Sequence, residues 1–203
     1  MGFGPLPALT VPVSVQAPCY FMSNYVITPR HAARGYFEFL MPMLKTESAD
    51  SPIALAFSAV ALASLAGRPV GRGTRWFGDS CLQYTKALRA VNLALQNPAQ
   101  QLKDSTLASI VMLSFFEVCG LPDHQFDTDT SQNMASEKVN ASAWFSHVEG
   151  AVQLVKLRGK KQLRTKIGYS LFVCVRNQMV SSFSYILILL YSREAGGSMY
   201  GFF

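Results

Sequence analysis

Three histidines and four cysteines are the scarcest reactive residues of this 203-residue chain. His31, His124 and His147 lie far apart, as do Cys19, Cys81, Cys119 and Cys174. No Cys-x-x-Cys pair or tight Cys/His group occurs, so the usual local spacing of a structural zinc site is missing. His147-Val148-Glu149 has the His-x-Glu form of zinc deaminases, but their metal also needs a downstream Pro-Cys-x-x-Cys, which this chain lacks. Residues two apart on a helix also face different ways, so the pair does not converge on one reacting atom. There is no Gly-x-Ser-x-Gly elbow, and most of the acids fall in loops or on polar faces, with no apolar pocket expected around two of them. GRPVGRGTR, Gly67 to Arg75, is basic and glycine-rich but not spaced to cradle a phosphate. These residue types predict no catalytic, metal or cofactor site. His147 is expected to pack or hydrogen-bond between helices beside Trp144.

The surrounding elements read as helices. In SAWFSHVEGAVQLVKLRG, Trp144, Val148, Ala151, Leu154, Val155 and Leu157 recur at intervals of three and four, which places them along one helix side. Gly159 then ends the helix, with Lys156 and Arg158 in its last turn, where cations suit the negative end of the dipole. A basic connector, Gly159 to Lys166, leads to a second helix with Ile167, Leu171, Phe172, Val175 and Met179 on one side. Two helices joined this tightly form an αα-hairpin that cannot bury both apolar faces alone. The rest of the chain must supply the opposing surfaces, and an all-α fold is expected: an irregular array of about six helices built from αα-hairpins.

Going along the chain, Met1 to Ile27 is interrupted by Pro5, Pro7, Pro12 and Pro18 and is expected to be an extended or disordered lead-in. Thr28-Pro29 signals a helix carrying Ala33, Tyr36, Phe37, Leu40 and Leu44, kinked or cut short by Pro42. Asp50-Ser51-Pro52 opens IALAFSAVALASLA, apolar nearly all round and so the expected central helix, where a charge at Ala59 or Ala63 would be poorly tolerated. A helix from about Phe77 to Gln96 has Cys81, Tyr84, Leu88, Val91 and Leu95 as its core face, with Lys86 and Arg89 outward. Asp104 or Ser105 caps the next, heavily apolar helix, which Gly120-Leu121-Pro122 ends. Asp123 to Lys138 reads as a polar, acidic-leaning loop. Asn140-Ala141-Ser142 matches a glycosylation sequon but is read as the start of a helix capped by Asn140 or Ser142.

Composition limits the partners. Half the residues are hydrophobic and 15% charged, against about 25% on average, so part of the surface is expected to contact something else. The formal charge of +6 permits attraction to nucleic acid or anionic membranes, yet the cations cluster only at Lys156, Arg158, Lys160, Lys161, Arg164 and Lys166. That run is either a nuclear import or phosphate-contacting patch or a solvated connector, the latter preferred. No secretory signal is apparent. Ser51–Gly67 and Asn177–Ser192 are uncharged or nearly so, but both fall short of the roughly 20 apolar residues needed to cross a bilayer.

Trp144, His147, Gly150, Arg158, Gly159, Gly168, Leu171, Phe172, Arg176 and Gln178 together resemble W-x-x-H-x-x-G…R-G…G-x-x-L-F-x-x-x-R-x-Q. This is the pattern of the fungal-specific transcription factor domain, the helical regulatory region found beside a binuclear zinc-cluster DNA-binding module. Tyr84–Pro98 and Asp104–Glu117 are similar to the family's preceding helices. The resemblance implies a partial helical regulatory domain over residues 28–180, with the ten signature residues in structural roles. It also implies nuclear localisation and regulation of transcription through protein contacts, with missing parts of the same regulator, another subunit or a co-regulator as partner, and with room for a small-molecule effector. The six close cysteines of the zinc cluster are not in this chain, so no sequence-specific DNA binding by the chain alone, and no enzymatic activity, is expected. Residues 181–203 depart from the pattern and are expected to be an atypical tail, such as read-through of an unspliced intron. Two alternatives share the periodicity: a generic helical interaction scaffold, and a membrane-associated protein anchored by the apolar run Asn177–Ser192.

Overall fold

The computed structural model describes residues 11–27, 36–68, 74–119 and 130–194. Through these run seven α-helices: α1 Val13–Tyr25, α2 Leu40–Leu44, α3 Pro52–Ala66, α4 Thr74–Gln96, α5 Asp104–Cys119, α6 Thr130–Arg158 and α7 Lys166–Glu194. A short 3-10 helix, Gly159–Arg164, joins α6 to α7. Among the described residues the β pairing is confined to an isolated bridge between Ile27 and Tyr36. The fold is an all-α array, as the apolar periodicity predicts.

Two buried rods, α3 and α5, carry the core. Ser51 caps α3 by accepting the Ala54 amide at 3.3 Å, and Pro52 fills the first position, where no amide partner is needed. From Ile53 to Leu65 nearly every side chain is enclosed, because α3 packs against α1, α4 and α5 at once. Ala59 and Ala63 are both closed off from solvent, in keeping with the intolerance to charge expected there. The second rod, α5, is buried from Thr106 to Ser114 and lies against α3, α4, α6 and α7. Against α3, α4 presents Ser80, Ala87, Val91 and Ala94, the small residues letting the backbones come close; Tyr84, Leu88 and Leu95 flank that strip, and Lys86 and Arg89 point outward.

The lead-in expected over Met1–Ile27 is helical from Val13 to Tyr25, which adds a seventh helix to the six anticipated. Pro18 within α1 lacks the amide for one helical hydrogen bond, a cost of about 3 kcal/mol in an unsupported helix. The burial of Ala17 and Phe21 against α3 and α5 offsets it. Phe21 stacks on Tyr25 and meets Phe37, Phe57 and Phe115 edge-on or tilted at 5.1–6.0 Å between ring centres.

At Phe37 the helix expected to start at Thr28 is not continuous. The backbone there is left-handed, with φ 57°, and α2 comprises only Leu40–Leu44, with Pro42 inside it. Residues 28–35, including the Thr28-Pro29 signal, lie outside the described residues. The left-handed turn drives the Phe37 ring to zero exposure between Phe21, Phe39 and Phe115.

Two further expectations are corrected downstream. The polar loop placed over Asp123–Lys138 is helical backbone from Thr130 onward, and Asn140 and Ser142 lie inside α6 rather than capping it. The last helix, α7, runs without interruption past Val180 to Glu194. Among the described residues no helix is long and apolar enough to cross a membrane.

Candidate functional site

The polar chemistry of the interior gathers where α4, α5 and α6 meet. Tyr84 sits on the inner side of α4 with its ring stacked on Phe116 of α5, the centres 4.3 Å apart and the planes at 17°. This stacking aims the hydroxyl at Glu117, to which it donates a short hydrogen bond. From α6, His147 Nε2 reaches the same hydroxyl at 3.0 Å, and it lies 3.8 Å from the Glu117 carboxylate. The Glu117 and His147 side chains are only 9% and 16% exposed, so neither relies on water for its partners.

The electrostatics favour one arrangement of protons. Burial raises the Glu117 carboxyl above its ordinary range, and the Tyr84 hydrogen bond counters part of that rise. Burial likewise raises the Tyr84 phenol, and the hydrogen bond and charge of Glu117 push it the same way. His147 is lowered by burial and is therefore neutral at physiological pH. With Tyr84 donating to Glu117, the phenol oxygen is free to accept, and the network assigns the proton of neutral His147 to Nε2. The three groups form a chain, His147 to Tyr84 to Glu117, with the phenol bonded to both of the others. His147 thus bridges α6 to α4 by hydrogen bonding. Tyr84 and Glu117, 33 residues apart, escape local pattern reading; the available signal was a lone acid inside the apolar run LSFFEVC.

The other end of the α5–α6 pair is closed by charge. Arg158 in the last turn of α6 bonds Asp104, the first residue of α5, and its side chain is 7% exposed. Each charge sits at the helix end whose dipole favours it. Gly159 follows in the left-handed conformation, φ 62°, and breaks α6. Gln162 Nε2 then donates to the carbonyls of Val155 and Gly159 at 2.8 and 2.9 Å, fastening the 3-10 helix to the end of α6. Thr165 caps α7 by accepting the Gly168 amide at 3.0 Å. A Cβ at Gly168 would run into the Gln162 carbonyl and come within 2.8 Å of Thr165 Oγ1, so this close approach needs glycine.

The remaining signature residues are placed as follows. Leu171 is fully buried, and Gln178 is buried with Nε2 on the Val111 carbonyl at 3.3 Å, linking α7 to α5. Trp144, its ring 5.0 Å from that of Phe145, and Phe172 are half-buried. Gly150 has open space beside it and Arg176 is exposed. The structure thus brings Arg158, Gly159 and Gly168 together around one junction. His147 and Gln178 make separate interhelical ties. Burial raises the Cys119 and Cys174 thiols to about 11, so both are protonated and inert at neutral pH. Among the described residues no group of three or more His, Cys, Asp or Glu could hold a metal ion.

No curated protein and no solved structure matches the chain. A family model described as fungal specific transcription factor domain matches residues 20–192. The match begins inside α1 and continues past Val180 through most of the last helix. An all-α array with paired, polar-tied helices and this match over most of its length identify the chain as a member of the fungal-specific transcription factor domain family.

Proposed function

We infer that the chain is a regulatory helical domain acting in the nucleus through protein–protein contacts rather than by catalysis. The observation that carries this reading is the family match over residues 20–192. The interior geometry supports it. Tyr84, Glu117 and His147 bond across three helices, so their arrangement serves to hold those helices together. The partners are missing parts of the same regulator, another subunit or a co-regulator, and a small-molecule effector would act by shifting how the helices pack. Sequence-specific DNA reading is left to a separate module, because it takes side chains presented to base edges.

The test is a tethering assay in a fungal host. The chain, fused to an unrelated DNA-binding module with its site upstream of a reporter, should change reporter output relative to the module alone. Unchanged output with the fusion present in the nucleus would reject the regulatory reading and favour a helical scaffold unrelated to transcription.

A further inference from the structure

The run of cations between α6 and α7 is sorted by the backbone into one inward and five outward charges. Arg158 turns in to Asp104. Lys156, Lys160, Lys161, Arg164 and Lys166 are exposed, and none forms an ion pair among the described residues. A 3-10 helix has three residues per turn, so side chains at i and i+3 align. Within it Gln162 is the buried residue, turned inward as a fastener. Lys160 and Leu163 share one outer edge of this helix and Lys161 and Arg164 the other, with Lys166 opening α7 just beyond.

Two leucines stand among these charges. Leu157 is 66% exposed and Leu163 40% exposed. A connector that served only solubility would gain nothing from leucines held up on a platform pinned at both ends. A surface made for phosphate backbone would use the cations and leave the leucines wet. Five uncompensated positive charges around two raised aliphatic side chains complement one chemistry: a segment with carboxylates flanking aliphatic or aromatic residues.

We propose that the corner formed by the end of α6, the 3-10 helix and the start of α7 is a docking surface for an acidic amphipathic segment of a protein partner. Leu157 and Leu163 make its apolar contact, and Lys156, Lys160, Lys161, Arg164 and Lys166 steer the partner's carboxylates. This names the partner class for the regulatory reading above and rests on it. The contact is small and charge-steered, so it is fast, salt-sensitive and of the transient kind.

The test uses the purified full chain and a fluorescent peptide of about 16 residues, with Asp and Glu around leucines at three- and four-residue spacing. Binding is read by anisotropy at about 50 and 200 mM salt. The expected result is saturable binding, weakened at least about tenfold by Leu157→Ser with Leu163→Ser. A similar loss is expected from Lys160→Glu with Lys161→Glu, and from a peptide whose leucines are replaced by alanine. All four positions are exposed, and circular dichroism of each variant should match the parent. Binding that is indifferent to the leucine variants, or no binding at the lower salt, overturns the proposal. So does tighter, leucine-independent binding to a DNA duplex or to phosphatidylserine vesicles, which would make the corner a phosphate-binding surface. Reporter output that is altered by the parent and equally by the corner variants sinks the docking surface while the regulatory reading stands; a parent that binds the peptide as expected but leaves the reporter unchanged sinks the regulatory reading instead.

Discussion

Removing one hydroxyl tests whether the Tyr84–Glu117–His147 chain holds the array together. In Tyr84→Phe the ring keeps its stack on Phe116 at 4.3 Å, so the apolar packing is preserved and only the polar link is lost. Glu117, 9% exposed at its side chain, is then left, among the described residues, with His147 at 3.8 Å. A hydrogen bond to a charged group contributes about 1.5–3 kcal/mol, and one to a neutral group about 0.5–1.5. At pH 8, where Glu117 is ionised, the variant should lose about 1.5–3 kcal/mol in urea unfolding followed by circular dichroism. Glu117 is raised by burial, so it takes up its proton at a higher pH than an ordinary glutamate. As pH falls through this raised value the charge is lost, and the penalty should fall to roughly 1 kcal/mol. In a Glu117→Gln background the same hydroxyl deletion should cost less at pH 8, and the difference is the coupling energy. Equal penalties above and below that value, or in both backgrounds, would show that the hydroxyl and the carboxylate do not depend on each other.

Four further outcomes follow from the structure. Phe37 is left-handed, so Phe37→Gly and Phe37→Ala should both cost about 3–5 kcal/mol for the lost ring, with glycine the more stable by roughly 0.5–1; urea midpoints in the opposite order would contradict the backbone assignment. Gly168→Ala should destabilise by about 1–3 kcal/mol through collision with the Gln162 carbonyl, and an unchanged melting temperature would mean the junction relaxes freely. Because burial lowers His147 below its ordinary value of 6.5, the neutral ring contributes stability above pH 6.5 that is lost as pH falls through the lowered value. His147→Gln, which cannot titrate, should therefore show a shallower decline in stability between about pH 6.5 and 5 than the parent. The pair Asp104→Ala and Glu117→Leu should keep the helical circular dichroism but broaden the thermal transition and the amide NMR lines; sharp lines and an unchanged transition would show that apolar packing alone sets the arrangement.

Much of the fold is legible in the sequence where one face or cap dominates. Ser51-Pro52 and Gly67 bracket α3 because an N-cap oxygen, a proline without an amide and a terminal glycine each match one end of a helix. Gly159 ends α6 because the left-handed turn there suits a residue without a Cβ. Other segments are misread because tertiary contacts outweigh local preference. In α1, Pro18 argues against a helix, yet Ala17 and Phe21 have a core waiting for them. At the start of α6, Ser, Asn and Thr disfavour helix by only a few tenths of a kcal/mol each, and extending a helix already nucleated further along costs little. At Phe37 the reverse holds: a helical pattern is broken because a left-handed turn puts the ring among four other aromatic side chains. The Tyr84–Glu117–His147 cluster is invisible locally because its members come from three helices and meet only when these pack.

That late-forming cluster has a use that burial cannot supply. A helix such as α5, enclosed from Thr106 to Ser114, gains nearly the same transfer free energy in many rotations about its axis, because the hydrophobic effect has no direction. Small neighbours on α3 and α4 make such alternatives sterically cheap as well. Hydrogen bonds and ion pairs do have direction, and α5 carries one at each end: Asp104 to Arg158 and Glu117 to Tyr84, with His147 beside it. Displacing α5 by one residue turns each acid by about 100°, away from its partner, and leaves buried polar groups unsatisfied at a cost of about 1–3 kcal/mol each. Two such penalties at opposite ends suffice to select one register from several that bury similar area. The sequence residues that look most like chemistry in this interior, a histidine and an acid among apolar neighbours, thus act as alignment pins.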